Sequence, residues 1–289
     1  VVAAEAIPDV LPPARRRGFL RRHPLIVLGG ALLLAMVFVA VFAPELGTVD
    51  PLMLAPERRL RPPAAANWFG TDMLGRDVYS RAIYGARVSL AVGALVAALS
   101  TISGVLVGVL SGFVRAIDPL IMRIMDGLMS IPSILLAVAL TALTRGSMQN
   151  VIIAITLAEA PRVARLARGL VLGLRDQPYV EAAVTCGSRL PAIIVRHILP
   201  NILAPLSVQA TYVCASAMIT EAILSFIGAG TPPIIPSWGN MMAEGRALWQ
   251  VKPFLVFFPA AFLSVTVLAV QLLGDGLRDA LDPRAARRL

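Results

Sequence analysis

The 289-residue sequence predicts an all-α integral membrane protein with about six transmembrane helices, and three observations carry that expectation. Hydrophobic residues make up 57% of the chain and charged residues 15%, against roughly a quarter charged in soluble domains. Several apolar runs come close to the ~20 residues that a helix needs to cross a bilayer. The net charge of +9 comes almost entirely from arginines that alternate with those runs, which is the pattern of cytoplasmic loops and not that of a nucleic-acid surface. Cys186 and Cys214 are the only cysteines; one falls in a polar segment and one in an apolar run, so neither a disulfide framework nor metal-type spacing is present.

Residues 1–24 are rich in Pro and Arg, with Arg15, Arg16, Arg17, Arg21 and Arg22 directly ahead of an apolar run. They are expected to stay in the cytoplasm. Residues 25–43 form the first span, longer than the about 7 to 15 residues of a signal-peptide core. Residues 44–87 are polar and punctuated by Pro44, Pro51, Pro56, Pro62 and Pro63, too long for an ordinary connection, and are expected outside. Asp72, Arg76 and Asp77 read there as a local ion-pair and capping set that orders the lead into the next span.

Residues 88–289 make the membrane core. Val88 to Phe113 is the second span, with Gly93, Gly104, Gly108 and Gly112 among its small residues; its GxxxG spacing points to internal helix packing. Ile121 to Leu143 is the third span, kinked at Pro132. The fourth has a clean apolar stretch only from Val151 to Ala160; Arg162, Arg165 and Arg168 then recur on one side of a helix leaving the membrane and are expected to snorkel into cytoplasmic headgroups. An S4-like voltage sensor shares such spacing, but this run is short and lies at the membrane edge.

Residues 178–200 form a polar segment punctuated by Pro and Gly between apolar runs. Pro178 suits the first turn of a short helix that Asp176 or Gln177 can cap, and Gly187 supplies the φ > 0 residue that stops it. Ser188 can cap a second helix that tolerates Pro191 in its first turn, and Pro200 is expected to break or kink the chain before the fifth span, Leu206 to Ile227. Glu221 lies within that span, where a carboxylate must face protein or water; it is either a pathway residue or a buried hydrogen-bonded group at the outer end of a packed helix. Thr231 to Pro253 is an outer loop whose Trp238 and Trp249 suit a membrane interface. Phe254 to Leu273 is the sixth span, and Arg278, Arg284, Arg287 and Arg288 place the tail inside. Six spans and two basic ends put both termini in the cytoplasm.

Glu181-Ala182-Ala183, three residues, Gly187, and Leu199-Pro200 twelve positions on resemble the EAA signature of bacterial ABC importer permeases, with His197 standing where the family's Ile usually precedes Leu-Pro. GTDMLGRDVYSR, ITEAILSFIGAG, PPIIPSWGNMM and LLGDGLRDALDPR are similar to the C-type subunit of dipeptide and oligopeptide transporters, over residues 69–284. The resemblance implies an ABC importer permease fold, in which the segment near Glu181, Ala182, Ala183, Gly187, Leu199 and Pro200 couples to a cytoplasmic ATPase. It further implies a companion permease subunit, ABC ATPase subunits or domains, and an extracytoplasmic peptide-binding protein, in a bacterial cytoplasmic membrane. Nickel complexes and other small solutes are alternative cargoes. No cofactor is expected on this chain: its only lysine is Lys252, outside any G-x-x-x-x-G-K-[ST] loop, so ATP is a matter for partner subunits. An intramembrane enzyme would need a nucleophile and base or a metal cluster in the bilayer. The only histidines, His23 and His197, fall in expected cytoplasmic segments. A channel would leave the EAA segment unexplained.

Overall fold

A computed structural model describes residues 23–143 and 147–281. The N-terminal arginines at 15–22 and the tail arginines at 284, 287 and 288 lie outside the described residues. Among these residues there are helices and no strands, with two isolated β-bridges, Ala64 to Asn67 and Thr71 to Asp77. The helices are α1 (Pro24–Val41), α2 (Val78–Phe113), α3 (Asp118–Met129), α4 (Ser133–Leu143), α5 (Met148–Arg175), α6 (Pro178–Thr185), α7 (Leu190–Ile193), α8 (Leu199–Phe226), α9 (Trp238–Gly245) and α10 (Phe254–Leu281). Four stretches are long and apolar enough to cross a bilayer: α1, α2, the continuous run from Leu190 through Phe226, and α10. The α3–α4 pair qualifies together as a fifth. The remaining long helix, α5, has 28 residues, but its second half carries Arg162, Arg165, Arg168 and Arg175.

The second span is longer than its apolar run. Asp77 caps α2, its carboxylate accepting from the Ser80 amide at 2.7 Å, so the helix starts ten residues ahead of Val88, inside the segment read as an external lead.

Close approach of α2 and α5, the most extensively packed pair, builds the core. A Cβ on Gly104 would lie 2.6 Å from the Val163 Cβ, and one on Gly108 would lie 2.5 Å from the Ala164 carbonyl oxygen. The glycine stripe therefore holds helices of the same chain together, as the spacing predicts. Around that seam Val92, Val96, Ile155, Val163, Val171, Ile202 and Leu224 are buried. α8 packs on both helices, α10 on α8, and α1 on α10. In its most apolar window α1 buries only 11% of its residues, so most of its apolar surface is left for lipid or for another subunit.

Two expectations of shape are corrected. The third span is not a kinked rod but two helices meeting at 88°. Ser130 ends α3, its amide donating to the Asp126 carbonyl at 3.0 Å, and Pro132 excludes its predecessor Ile131 from helical geometry. Pro200 does not interrupt the fifth span. Residues Ile194–Ile198 form a π-helical turn in which the Leu199 amide reaches the Ile194 carbonyl. The wider turn absorbs the missing proline N–H and relieves the ring's clash with the carbonyl four residues back, and the helix runs on.

Outside the membrane helices, residues 43–77 form turns and two short 3-10 helices that pack at the start of α2. Gly70 and Gly75 both have φ of +77°, and a Cβ on Gly75 would fall 1.8 Å from the Ala55 carbonyl oxygen. This is the physical content of the two glycines in GTDMLGRD: only glycine admits both the left-handed backbone and the close approach of the backbone at Ala55 and Arg61.

Candidate functional site

The polar segment after α5 folds as a helix, a turn and a second helix. Pro178 opens α6 behind Gln177, whose carbonyl accepts from the Val180 and Glu181 amides at 2.9 and 3.1 Å. At the far end the Gly187 amide donates to the Val184 carbonyl at 2.9 Å and the Ser188 amide to the Ala183 carbonyl at 3.0 Å. With Gly187 at φ +78° this is a Schellman turn, which satisfies two carbonyls that the helix end would otherwise orphan. The capping of α7 differs from expectation: Arg189, not Ser188, holds the N-cap, with its backbone carbonyl accepting from Ala192 and Ile193.

One face of α6 anchors it and the other is bare. Val180 is 1% exposed and packs, with Ala183 beside it, into the core cluster that holds Val171, Ile193 and Ile198. Glu181 and Ala182 are exposed, as are the apolar side chains of Tyr179, Val184, Leu190 and Val195. Leu199 packs on the core and Pro200 is exposed, both in the first turn of α8 and not on the short helix. The structure thus gathers Glu181, Ala182 and Gly187 on one exposed element, and places Leu199-Pro200 where the second helix joins the membrane span.

The arginines that precede this element do not reach out freely. Arg168 donates to both oxygens of Asp118 at 2.6 Å through Nε and Nη2, Arg165 pairs with Asp126, and Arg175 donates to the Gly112 carbonyl at 2.9 Å. Ser111 also donates to Asp118. These bonds tie α5, just before α6, to the amphipathic helix α3 and to the end of α2. The spacing of Arg165 and Arg168 matches acids on α3, which lie 39 and 50 positions away in sequence.

Glu221 is fully buried. Its Oε1 accepts from the Ser225 hydroxyl at 2.8 Å and the Thr231 hydroxyl at 3.2 Å, while Asn240 binds the Thr231 hydroxyl at 3.0 Å and the carbonyls of Pro232 and Ile235. The carboxylate thus holds the 228–237 loop to α8 and α9. A second cluster that sequence reading grasped only in half lies nearby. Arg76 and Arg81 each bridge Asp72 and Glu244, at 2.5–2.6 Å, with Arg81 1% exposed. Trp238, read as an interfacial residue, is instead fully buried, its indole donating to the Ala82 carbonyl at 2.9 Å; Trp249 is 60% exposed.

This arrangement is that of a multi-pass helical membrane protein presenting a short, exposed helix–turn–helix between two of its long helices. Residues 104–287 match the model of a family described as binding-protein-dependent transport system inner membrane component, and the chain belongs to that family. It is 54% identical over 268 residues to the probable peptide ABC transporter permease protein y4tQ of Sinorhizobium fredii, covering 93% of this chain and 92% of that one. It is 41% identical to the dipeptide transport system permease protein DppC of Alkalihalophilus pseudofirmus (92% and 88% covered). To the oligopeptide transport system permease protein OppC of Bacillus subtilis it is 37% identical (91% and 87% covered). Among solved structures, a chain of the inward-facing MetNI methionine ABC transporter shares the fold, with a TM-score of 0.56 at 21% identity over 69% of this chain and 95% of that chain. The protein is a permease subunit of an ABC importer, a non-catalytic component that implies partner ATPase and companion permease subunits.

Proposed function

We propose that this permease carries dipeptides or short oligopeptides across a bacterial cytoplasmic membrane, receiving the work of ATP hydrolysis at α6. The observation that carries the coupling role is an eight-residue helix locked at its end by the Gly187 turn, anchored by Val180 and bare at Glu181, Ala182 and Val184. The small, exposed side chain of Ala182 lets a partner backbone approach closely, whereas Ala183 packs inward beside Val180, and Glu181 in the first turn suits the positive end of the helix dipole. Motion imposed on α6 passes into α5 and, across the Arg168–Asp118 and Arg165–Asp126 pairs, into α3. It passes equally through α7 into α8.

The peptide cargo rests on the relatives, whose printed names are peptide, dipeptide and oligopeptide permeases. Both termini and residues 175–200 are cytoplasmic in this reading, and residues 50–85 and 231–252 face outward, toward an extracytoplasmic peptide-binding protein. The chain itself binds no cofactor, and its partners hydrolyse the ATP. Reconstitution of the four-component complex in liposomes tests the assignment. Uptake of labelled dipeptide that requires ATP, the binding protein and this chain supports it; a complex that imports another solute and no peptide overturns the cargo.

A further inference from the structure

Midway along α5 sits a charged pair that the coupling role does not use. Glu159 is 2% exposed and accepts from the Ser216 hydroxyl of α8 at 3.2 Å and from Arg162 Nη1 at 3.2 and 3.4 Å. These ion-pair contacts are longer than the 2.6 Å bonds of Arg168 to Asp118. Arg162 has a side chain 48% exposed, and its Nε and Nη2 carry no hydrogen bond among the described residues. The pair lies 11 and 14 residues into a 28-residue helix, or about 17 and 21 Å from its start, near its middle. Glu159 is buried and meets α8, so the pair ties the middle of α5 to the core while the outer edge of Arg162 stays open.

That open side continues toward the cytoplasmic end. Arg162, Arg165, Gly169 and Gly173 are exposed and fall within about 80° of one another around the helix at 100° per residue. At Gly169 and Gly173 a Cβ would meet no atom within 4 Å, so no described residue of this chain fills the space beside this face.

We propose that Arg162, oriented by the buried Glu159, is a subsite for a carboxylate of the solute in transit. The guanidinium offers an unused fork edge whose geometry matches a carboxylate, and Glu159 fixes its position without satisfying it. This inference rests on the peptide-permease reading, because a peptide brings a terminal carboxylate along the path. The same chemistry could be supplied by an acidic side chain of the companion permease, and the experiment separates the two sources.

In proteoliposomes holding the complete complex, uptake is measured for a dipeptide and for the same dipeptide amidated at its C-terminus, using wild type, Arg162→Gln and Arg162→Lys. Loss of a charge-assisted fork should slow the free peptide roughly tenfold in Arg162→Gln and less in Arg162→Lys, with the amide unaffected by either change. Stimulation of ATPase activity by loaded binding protein should persist. If Arg162→Gln fails to insert because Glu159 is left unpaired, Glu159→Gln/Arg162→Gln removes both charges and takes its place with the same expected selectivity. Wild-type rates for the free peptide in the substituted chain, or equal losses for peptide and amide, overturn the subsite. Loss of the companion subunit from the purified variant assigns the open edge to that subunit and overturns it as well. Failure of the wild-type complex to import any peptide is a separate outcome, which removes the cargo on which the subsite rests.

Discussion

Gly187 shows how much one backbone position can decide. Its φ of +78° closes the Schellman turn, and a Cβ there would meet nothing within 4 Å, so the cost of a side chain is backbone strain alone. Gly187→Val should therefore leave membrane insertion and the companion subunit in place. The strain, about 1–3 kcal/mol, should misplace α6 and reduce ATP-driven transport several-fold, measured as uptake per inserted complex. Glu221 makes the contrasting case. Glu221→Gln keeps an acceptor for the Ser225 and Thr231 hydroxyls and should retain most thermal stability, whereas Glu221→Ala strands both and should cost about 1–3 kcal/mol, read as the melting midpoint of the purified complex. Equal midpoints for the two variants would contradict a structural role for this buried carboxylate. Glu244 has a side chain 27% exposed, yet it neutralises Arg76 and Arg81. Glu244→Ala should destabilise toward the lower end of the about 3–5 kcal/mol expected for breaking a buried pair.

Elements differ in how far their own residues announce them. The short helix α6 was legible because its two signals, Pro178 at the start and Gly187 past the end, are local backbone chemistry. The glycine stripe of α2 was legible as a packing surface, although its partner was not. What stayed hidden was set by pairing across long stretches of chain: Arg168 with Asp118, and Arg76 with Glu244, 168 positions away. Charge spacing shows that arginines share a side of a helix, but not which acids meet them. Pro132 and Pro200 emit the same local signal and have opposite outcomes. One lies at an 88° break; the other follows a π turn that lets the helix continue, and the choice between these belongs to tertiary packing. At this scale Gly108→Leu should be among the most damaging changes in the second span, because the Ala164 carbonyl occupies the place of its Cβ. It should lower the yield of folded complex in detergent far more than Leu106→Ala, since Leu106 is 67% exposed.

For the whole molecule, composition fixed the class, and the arrangement of long helices matches an ABC importer permease. The packing explains how one chain can hold a rigid seam and still transmit motion. α2, α5 and α8 share a close-packed core, whereas α6 and α7 hang from the ends of α5 and α8 with one face buried. A push on this helix–turn–helix reaches two long helices at once. Coupling therefore depends on what touches the bare face of α6, and Ala182, exposed and small, reports on it most directly. In a chain carrying Cys186→Ser, the variant Ala182→Cys is paired with single cysteines along the partner ATPase surface and cross-linked during turnover. The expected result is a cross-link to the ATPase that arrests transport while the companion permease stays bound. A thiol at 182 that reacts only from the external side, or that never meets the ATPase while transport proceeds, would contradict the coupling role of this helix.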